Sequence, residues 1–594
     1  MNVRAPGDEV TVLLGRGLKL YQAGDRQGAL DVYEQILSIS PLHVDALNMV
    51  GIVVWQGGDV SRALGYLDTA ILHYPEDPQA YLNLGVILEH HGRTEEAVNA
   101  YRVALQADPD HLLASLNLAN GLAAMGQTAA AIEAYQRVLR AAPENLDALN
   151  NLALALKSAH DLVGAERHLR AAVGIDPGSE QSWINLGLVL RRAKKTAAAF
   201  EACERALKIN PASLKALNNL AVLHRWQGHL EQAESLIRDI LKRHPDQVEV
   251  LNNLGDICQA LGRLDEAQAA FEAVLAQDPN HAEGHHNLAV LLLLRGQFKA
   301  GWEHYEWRWL AEDFPAERRN FPQPLWTGED LGGQTVLLYV EQGLGDAVQF
   351  VRYAKGVQGR GGRVVVECPK VLKRLFERVP GVDCVVARGD DLPGFTVQCP
   401  FLSLPGVLST CEADIPPEVP YLFVPQDSRA WLEPLKNRQG LKVGLVWAGS
   451  PHHTNDRERS LDLSTLAPLA AVEGCHLVSL QIGPRAGQVA EVPWPMVDLT
   501  GHFDDYADTA AVIHELDLVI TVDTSVAHVA GALAKPVWVL IPHAPDWRWQ
   551  IDRDDSPWYP TMTLYRQTKR QDWGPVIERV RADLDAQLIT RGKS

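Results

Sequence analysis

A proline returns every 34 residues through the first half of the chain: Pro41, Pro75, Pro109, Pro143, Pro177, Pro211, Pro245 and Pro279 hold this spacing without a slip. A period of this size means a supersecondary unit stacked on copies of itself, because one such unit cannot bury its own apolar face. Twelve residues before each proline stands an alanine (Ala29, Ala63, Ala97, Ala131, Ala165, Ala199, Ala233, Ala267). Two helices must approach closely there, and a larger side chain would hold them apart. Another small residue recurs earlier in the unit, at Gly17, Gly51, Gly85, Ala119, Ala153, Gly187, Ala221, Gly255 and Ala289. Glycine marks the turn between helices at Gly24, Gly58, Gly92, Gly126, Gly228, Gly262 and Gly296, and the closing proline stops the second helix. Each unit is predicted to be a helix pair.

The pattern resembles tetratricopeptide repeats. It runs from about Val10 to Pro315 in about nine units, the last degenerate because Asp313 replaces the proline and Gly301 the alanine. A degenerate terminal unit predicts a junction with something else. One column is unusual: Asn83, Asn117, Asn151, Asn185, Asn219, Asn253 and Asn287 share one position of successive first helices. Asparagine inside a helix costs roughly 0.6 kcal/mol relative to alanine. Stacking brings these amides onto one stripe, and an amide both donates to and accepts from an extended peptide. The alternative is that the column ties neighbouring repeats together. The ladder resembles that of eukaryotic O-linked N-acetylglucosamine transferase, and this resemblance implies capture of an acceptor protein.

Formal net charge is -19, from 74 acidic against 55 basic residues, which disfavours broad attraction to nucleic acid or an anionic membrane. The N-terminus MNVRAPGDEV has no apolar signal region, and the longest apolar run, Leu288 to Leu294, is too short to span a bilayer. A cytoplasmic location is the expectation. The seven cysteines include no C-x-x-C pair and read as reduced, mostly buried thiols.

From Thr335 the pattern changes to short apolar runs alternating with amphipathic stretches, the signature of βαβ units. Strands are predicted at Thr335 to Glu341, Val364 to Glu367 and Val382 to Val386, with a helix over Ala347 to Val357. After a polar stretch from Gln426 to Gly440, further strands are predicted at Lys442 to Trp447, His476 to Gln481, Leu518 to Val522 and Val537 to Leu540, with a helix near Trp573 to Leu588. Two Rossmann-like lobes follow, and ligands of such sheets sit beyond the carboxyl ends of strands. The expected division is repeats over 1–313, an aromatic and proline-rich packed connector over 314–334, a first lobe over 335–430 and a second over 431–594.

Three loops are chemically rich. Glu341-Gln342-Gly343-Leu344-Gly345-Asp346 opens a helix, where Asp346 suits either a helix cap or a general base. Asp523-Thr524-Ser525-Val526-Ala527-His528 follows a strand and opens another helix, whose first amides suit a phosphate; caps and a core histidine are the alternatives. The loop from Gly449 to Ser460 offers Arg457 and Arg459 as fixed cations in place of a metal, or a solvated charged loop. Asp546-Trp547-Arg548-Trp549 with Arg553 and Trp558-Tyr559 suits stacking on a ligand or packing of the lobes. No P-loop, no G-x-G-x-x-G after the first strand and no closely spaced paired carboxylates appear, which excludes kinase and dehydrogenase readings and predicts no metal or cofactor.

The architecture resembles the GT-B glycosyltransferase fold, and the first two loops resemble those of heptosyltransferases. This implies Asp346 as catalytic base and Gly345, Arg457, Arg459, Asp523, Thr524, Ser525 and His528 as donor-binding residues, with arginines where that family usually presents a lysine. The whole layout is similar to the bacterial tetratricopeptide-type flagellin glycosyltransferases. That resemblance implies inverting, metal-independent transfer of a nonulosonic acid such as pseudaminic acid, from a CMP-linked donor to serine or threonine of flagellin. The competing readings are a heptosyltransferase-like enzyme of surface-glycan synthesis and an inactive scaffold.

Overall fold

The computed structural model describes residues 6–311, 314, 318–425, 429–453 and 455–591. Asp313, Pro315, Gln426 and Thr454 of the sequence reading lie outside the described residues. The described chain divides into two compact units, Met1–Leu236 and Ile237–Ser594.

The first unit is helical. Its helices run in pairs, Pro6–Gln22 with Arg26–Ile39, Val44–Gln56 with Val60–His73, and so on at the 34-residue period to Leu214–Trp226; the division falls within the next helix, Leu230–Arg243. The alanine column, from Ala29 to Ala267, is fully buried at 0% exposure in all eight positions. The small residue of the first helix faces a side chain sixteen residues on: a Cβ on Gly17 would come within 2.8 Å of the Tyr33 ring, and one on Gly85 would overlap the ring of Tyr101. The turn glycines all have positive φ, between 72° and 94°, and the two units without one use His160 (φ 62°) and Lys194 (φ 58°) in the same conformation. The second helices end at Ile39, His73, Ala107, Ala141, Ile175 and Ile209, two residues before the proline, as the clash of a proline ring with its predecessor requires.

The second unit begins with two further repeats, Val248–Ala260 with Leu264–Gln277 and Ala282–Leu294 with a shortened Phe298–Tyr305 that tightens into a 3₁₀ turn, Glu306–Leu310. Ten strands follow. β1 (Thr335–Tyr339), β2 (Arg363–Cys368), β3 (Cys384–Ala387) and β4 (Val397–Pro400) form a parallel sheet in the order β3-β2-β1-β4. β5 (Leu441–Val446), β6 (Cys475–Ser479), β7 (Val497–Asp498), β8 (Leu518–Val522), β9 (Val537–Ile541) and β10 (Met562–Arg566) form a second, in the order β10-β9-β8-β5-β6-β7. Counted from its own first strand, this is the 3-2-1-4-5-6 order of a doubly wound parallel sheet, and the first sheet shows the 3-2-1-4 half of that order. The strands are apolar on both faces, as parallel strands covered by helices must be.

The repeats do not end in a separate body. One apolar core joins Cys258, Phe271 and Leu288 to Leu294 of the last repeats with Val336 and Leu338 of β1, Val364 and Val366 of β2, and Val519 and Val537 of the second sheet. The indole Nε1 of Trp302 donates to the Thr410 carbonyl at 3.1 Å. The period of the sequence therefore runs on to about 313, whereas the packing assigns everything from Ile237 onward to the unit of the sheets. The connector is packed: Trp326 is buried, Leu325 bridges to Gln398 of β4, and Phe321 lies 5.8 Å from the ring of Tyr339. Helix Gly574–Arg591 covers the opposite face of the second sheet through Ile577, Val580 and Leu584.

Candidate active site

Strand order reverses between β1 and β4 in the first sheet and between β5 and β8 in the second. The loops leaving β1, β5, β8 and β9 at their carboxyl ends carry nearly all of the residues singled out above, and side chains from these loops meet.

Asp346 stands in the first turn of helix Leu344–Phe350, and its Oδ2 accepts from the Gly343 N–H at 2.8 Å. It therefore caps its helix. Its Oδ1 is also bound by the Nη2 of Arg548. Arg548 comes from the 3₁₀ turn Trp547–Trp549 after β9. Its Nη1 donates to Asp546 at 2.8 Å, its Nε to Gln349 at 2.8 Å, and its guanidinium lies 4.4 Å over the ring of Trp547. Burial raises the Asp346 carboxyl above the ordinary range, Arg548 opposes that rise and Asp546 adds to it. Against the pull of burial, Arg548 holds Asp546 below its usual value. Asp523, at the end of β8, is raised by burial and by Asp546, with Arg459 opposing.

Gly345 is where the loop of the first sheet meets the helix of the second: a Cβ there would lie 3.0 Å from Cδ2 of His528 and 3.5 Å from Cα of Ser525. Helix Ser525–Ala532 starts at Thr524 with no side-chain cap bond. The hydroxyl of Thr524 pairs with Thr521 at 3.1 Å and that of Ser525 with Tyr506 at 2.6 Å. Thr524 holds the N-cap position, but neither hydroxyl makes the capping hydrogen bond that the sequence allowed, and without one the N-terminus keeps its anion-binding character. His528 is 4% exposed, shares a hydrogen bond of 3.1 Å with the Tyr559 hydroxyl through Nδ1, and stacks on Trp549 at 5.4 Å. Burial and the neighbouring Arg548 push its imidazole down to about 3. It is a neutral ring, so it can offer a hydrogen bond to a ligand but no charge.

The two arginines of the loop after β5 separate. Arg459 is buried on the one-turn helix Asp456–Arg459; its Nη1 donates to the Asp523 carbonyl at 2.9 Å and Asp456 stands 3.7 Å away. Its guanidinium passes so close to Gly449 that a Cβ there would come within 2.5 Å of Nη2. Arg457 is exposed.

Two residues were not singled out by sequence reasoning. Glu341, at the end of β1, accepts from the N–H groups of Phe401 and Leu402 at 3.0 Å each and from Arg308 at 3.3 Å. Arg308 is wholly buried, 0% exposed, and also donates to Glu306 at 2.6 Å and Ser403 at 2.8 Å. The signal was a single arginine inside an aromatic run, E-W-R-W-L, which reads equally as surface. Arg548 stood in a cluster noted as packing or stacking; Trp547 does pack, 5.4 Å from Trp302, while its neighbour Arg548 enters the site.

The asparagine column divides its amides between repeats. Asn151 donates to Asn120 at 2.9 Å, Asn185 to Asn150 at 3.0 Å and Asn287 to Asn252 at 3.1 Å, each partner lying one repeat back. Asn83 and Asn185 also accept from Gln79 and Gln181 one turn earlier, at 2.8 Å. These amides tie repeats together, while Asn117, Asn151, Asn219, Asn253 and Asn287 stay partly exposed. Among the described residues no group of three or more histidine, cysteine, aspartate or glutamate side chains is placed to hold a metal ion. No helix among them is long and apolar enough to cross a membrane.

Among known families, a tetratricopeptide-repeat model matches residues 14–70, and the model of the cilia and flagella-associated protein 70 C-terminal domain matches residues 44–291. Protein FlbA of Caulobacter vibrioides is 28% identical over 323 residues, covering 49% of this chain and 53% of the relative. The chain thus spans about half the length of the curated relative it matches. Among solved structures, the APC/C hetero-tetramer Cut9-Hcn1 aligns at 17% identity and a TM-score of 0.36, covering 47% of this chain and 55% of that one. YrrB, described as a TPR protein with an unusual peptide-binding site, aligns at 22% identity and a TM-score of 0.27, covering 31% and 95%. The chain carries tetratricopeptide repeats in its N-terminal half, is similar over about half its length to Protein FlbA, and bears two parallel sheets in its own C-terminal half.

Proposed function

We propose that the chain is a protein O-glycosyltransferase of the GT-B type. The observation that carries this reading is the convergence, at the switch points of two doubly wound sheets, of Asp346, Arg459, Asp523 and the uncapped helix start at Thr524. Asp346 takes the proton of an acceptor serine or threonine hydroxyl as its oxygen attacks the anomeric carbon. The nucleotide phosphate leaves towards the N-terminus of helix Ser525–Ala532 and the Arg459 guanidinium, which stabilise its charge without a metal. His528 supplies a neutral hydrogen-bond partner. The repeats hold the acceptor protein, flagellin, along the asparagine stripe in the cytoplasm. The donor is a CMP-linked nonulosonic acid such as pseudaminic acid, and inversion follows from a single displacement.

Thermal shift with CMP, UDP, GDP and ADP tests the donor, since a ligand that binds the native state raises apparent stability by mass action. CMP should raise the melting temperature most. Mass spectrometry of flagellin incubated with the protein and CMP-pseudaminic acid should show added sugar. With Asp346→Asn the transfer rate should fall by about 10²- to 10⁴-fold while the nucleotide-induced shift persists. An unchanged rate refutes the base, and no shift with any nucleotide refutes the enzyme.

A further inference from the structure

Arg548 is gripped on three sides before Asp346 is counted. Asp546 holds Nη1, Gln349 holds Nε, and the rings of Trp547 and Phe350 lie 4.4 and 5.9 Å from the guanidinium carbon. Asp546 is itself fixed, because its Oδ1 accepts from the Arg548 N–H at 3.0 Å and starts the 3₁₀ turn. The fourth arm, Nη2, binds Asp346. Asp346 and Gln349 belong to the helix after β1, in the first sheet's layer, whereas Asp546 and Arg548 follow β9 of the second. One planar fork therefore joins the two sheets at the site, and its side chain is only 9% exposed.

We infer that Arg548 is the positioning residue of this site, holding the Asp346 carboxylate ionised and oriented from the opposite sheet. This rests on the reading of Asp346 as the base. The groups facing Asp346 are the Gly343 N–H, Arg548, Asp546, Glu341 and Tyr305. Arg548 is the cation among these groups, so without it a largely buried carboxylate would stand beside Asp546 and take up a proton at higher pH. The contacts also explain why arginine is required. A lysine carries the charge but cannot meet Gln349, Asp546 and Asp346 together, since it lacks the rigid five-donor fork.

The test uses the full chain and two readouts. Without any ligand, the melting temperatures of wild type, Arg548→Gln, Asp346→Asn and the double variant are followed from pH 4 to 9. The stability gap between wild type and Arg548→Gln should open as pH rises through the titration of Asp346, and it should be smaller in the Asp346→Asn background, because the part owed to Asp346 is gone. A gap that is the same in both backgrounds overturns the coupling whether or not the chain is a transferase. With CMP-pseudaminic acid and flagellin, Arg548→Lys and Arg548→Gln should each lose about tenfold or more in kcat with KM for flagellin within about twofold. The acid limb of the Arg548→Gln profile should move up by about one pH unit, as an opposite charge at this range would shift it. A limb that stays in place while activity falls shows a merely structural role and overturns the inference. If wild type transfers nothing, the glycosyltransferase reading fails and the ligand-free cycle alone decides whether Arg548 holds Asp346.

Discussion

Glu341 and His528 are buried groups whose protonation works in opposite directions. Burial pushes the Glu341 carboxyl up to about 7, although Arg308 and the Leu402 N–H pull it back. A carboxyl in the unfolded chain titrates near 4.3. Glu341 therefore contributes stability that is fully present below about pH 4.3 and is lost as pH rises through about 7. His528 and His286 are held down by burial, to about 3 and about 4; their contribution is present above about pH 6.5 and is lost on acidification towards those values. Glu341→Gln should flatten the fall in melting temperature between about pH 5 and 7. His528→Gln, whose amide can still meet the Tyr559 hydroxyl, should soften the loss between about pH 6.5 and 4. Melting curves in a pH series check both, and parallel profiles for wild type and variants would show that these groups do not titrate with folding. Legibility at this scale followed position in the motif. Asp346, Asp523 and His528 could be read because each sits at a fixed distance from a strand end. Arg308, Glu341 and Arg548 act through partners at separations of 33 and 202 residues, and no local pattern signals such a pairing.

At the scale of elements the repeat was legible because every rule reinforced the others: period, buried alanine, turn glycine and closing proline. The helix pair makes two opposite predictions. Gly85→Ala places a methyl where the Tyr101 ring lies and should cost about 1–3 kcal/mol, the usual range for overpacking. Lys194→Gly relieves a positive φ of 58° and should gain roughly 0.5–1 kcal/mol, since the left-handed conformation costs a side-chain-bearing residue more than glycine loses in entropy. Denaturant melts of the single variants decide both signs. Among the strands, β1, β2, β3, β5, β6, β8 and β9 were expected within a few residues of where they fall. The three not expected, β4, β7 and β10, are all edges of their sheets. An edge strand needs no continuous apolar run, and β4 can end on Pro400 because an edge tolerates a missing donor. The predicted helix over 347–357 begins earlier and breaks into Leu344–Phe350, a 3₁₀ turn and Ala354–Gln358.

For the whole molecule, the 34-residue period suggested a cut at about 313 between a binding half and a chemical half, and the packing places the joint elsewhere. Helix Ala282–Leu294 and Trp302 belong to the core that holds the sheets, and Trp547, next to Arg548, packs edge-on against Trp302 at 5.4 Å. A fragment starting at Thr335 would lack Arg308 and leave Glu341 buried without its cation, a loss that typically costs 3–5 kcal/mol. It would also expose the apolar faces that Leu291 to Leu294 cover. A fragment starting at Leu230 keeps all of these contacts. The 230–594 fragment should therefore give a single cooperative thermal transition, whereas 335–594 should aggregate or melt without cooperativity. Circular dichroism melts of the two fragments check this, and a cooperatively folding 335–594 would show that the last repeats are a separable arm. The consequence reaches function, because the last repeats then form part of the wall from which Arg548 is presented to Asp346. A sequence change in helix Ala282–Leu294 that leaves the repeats folded can alter the site without touching any residue in it.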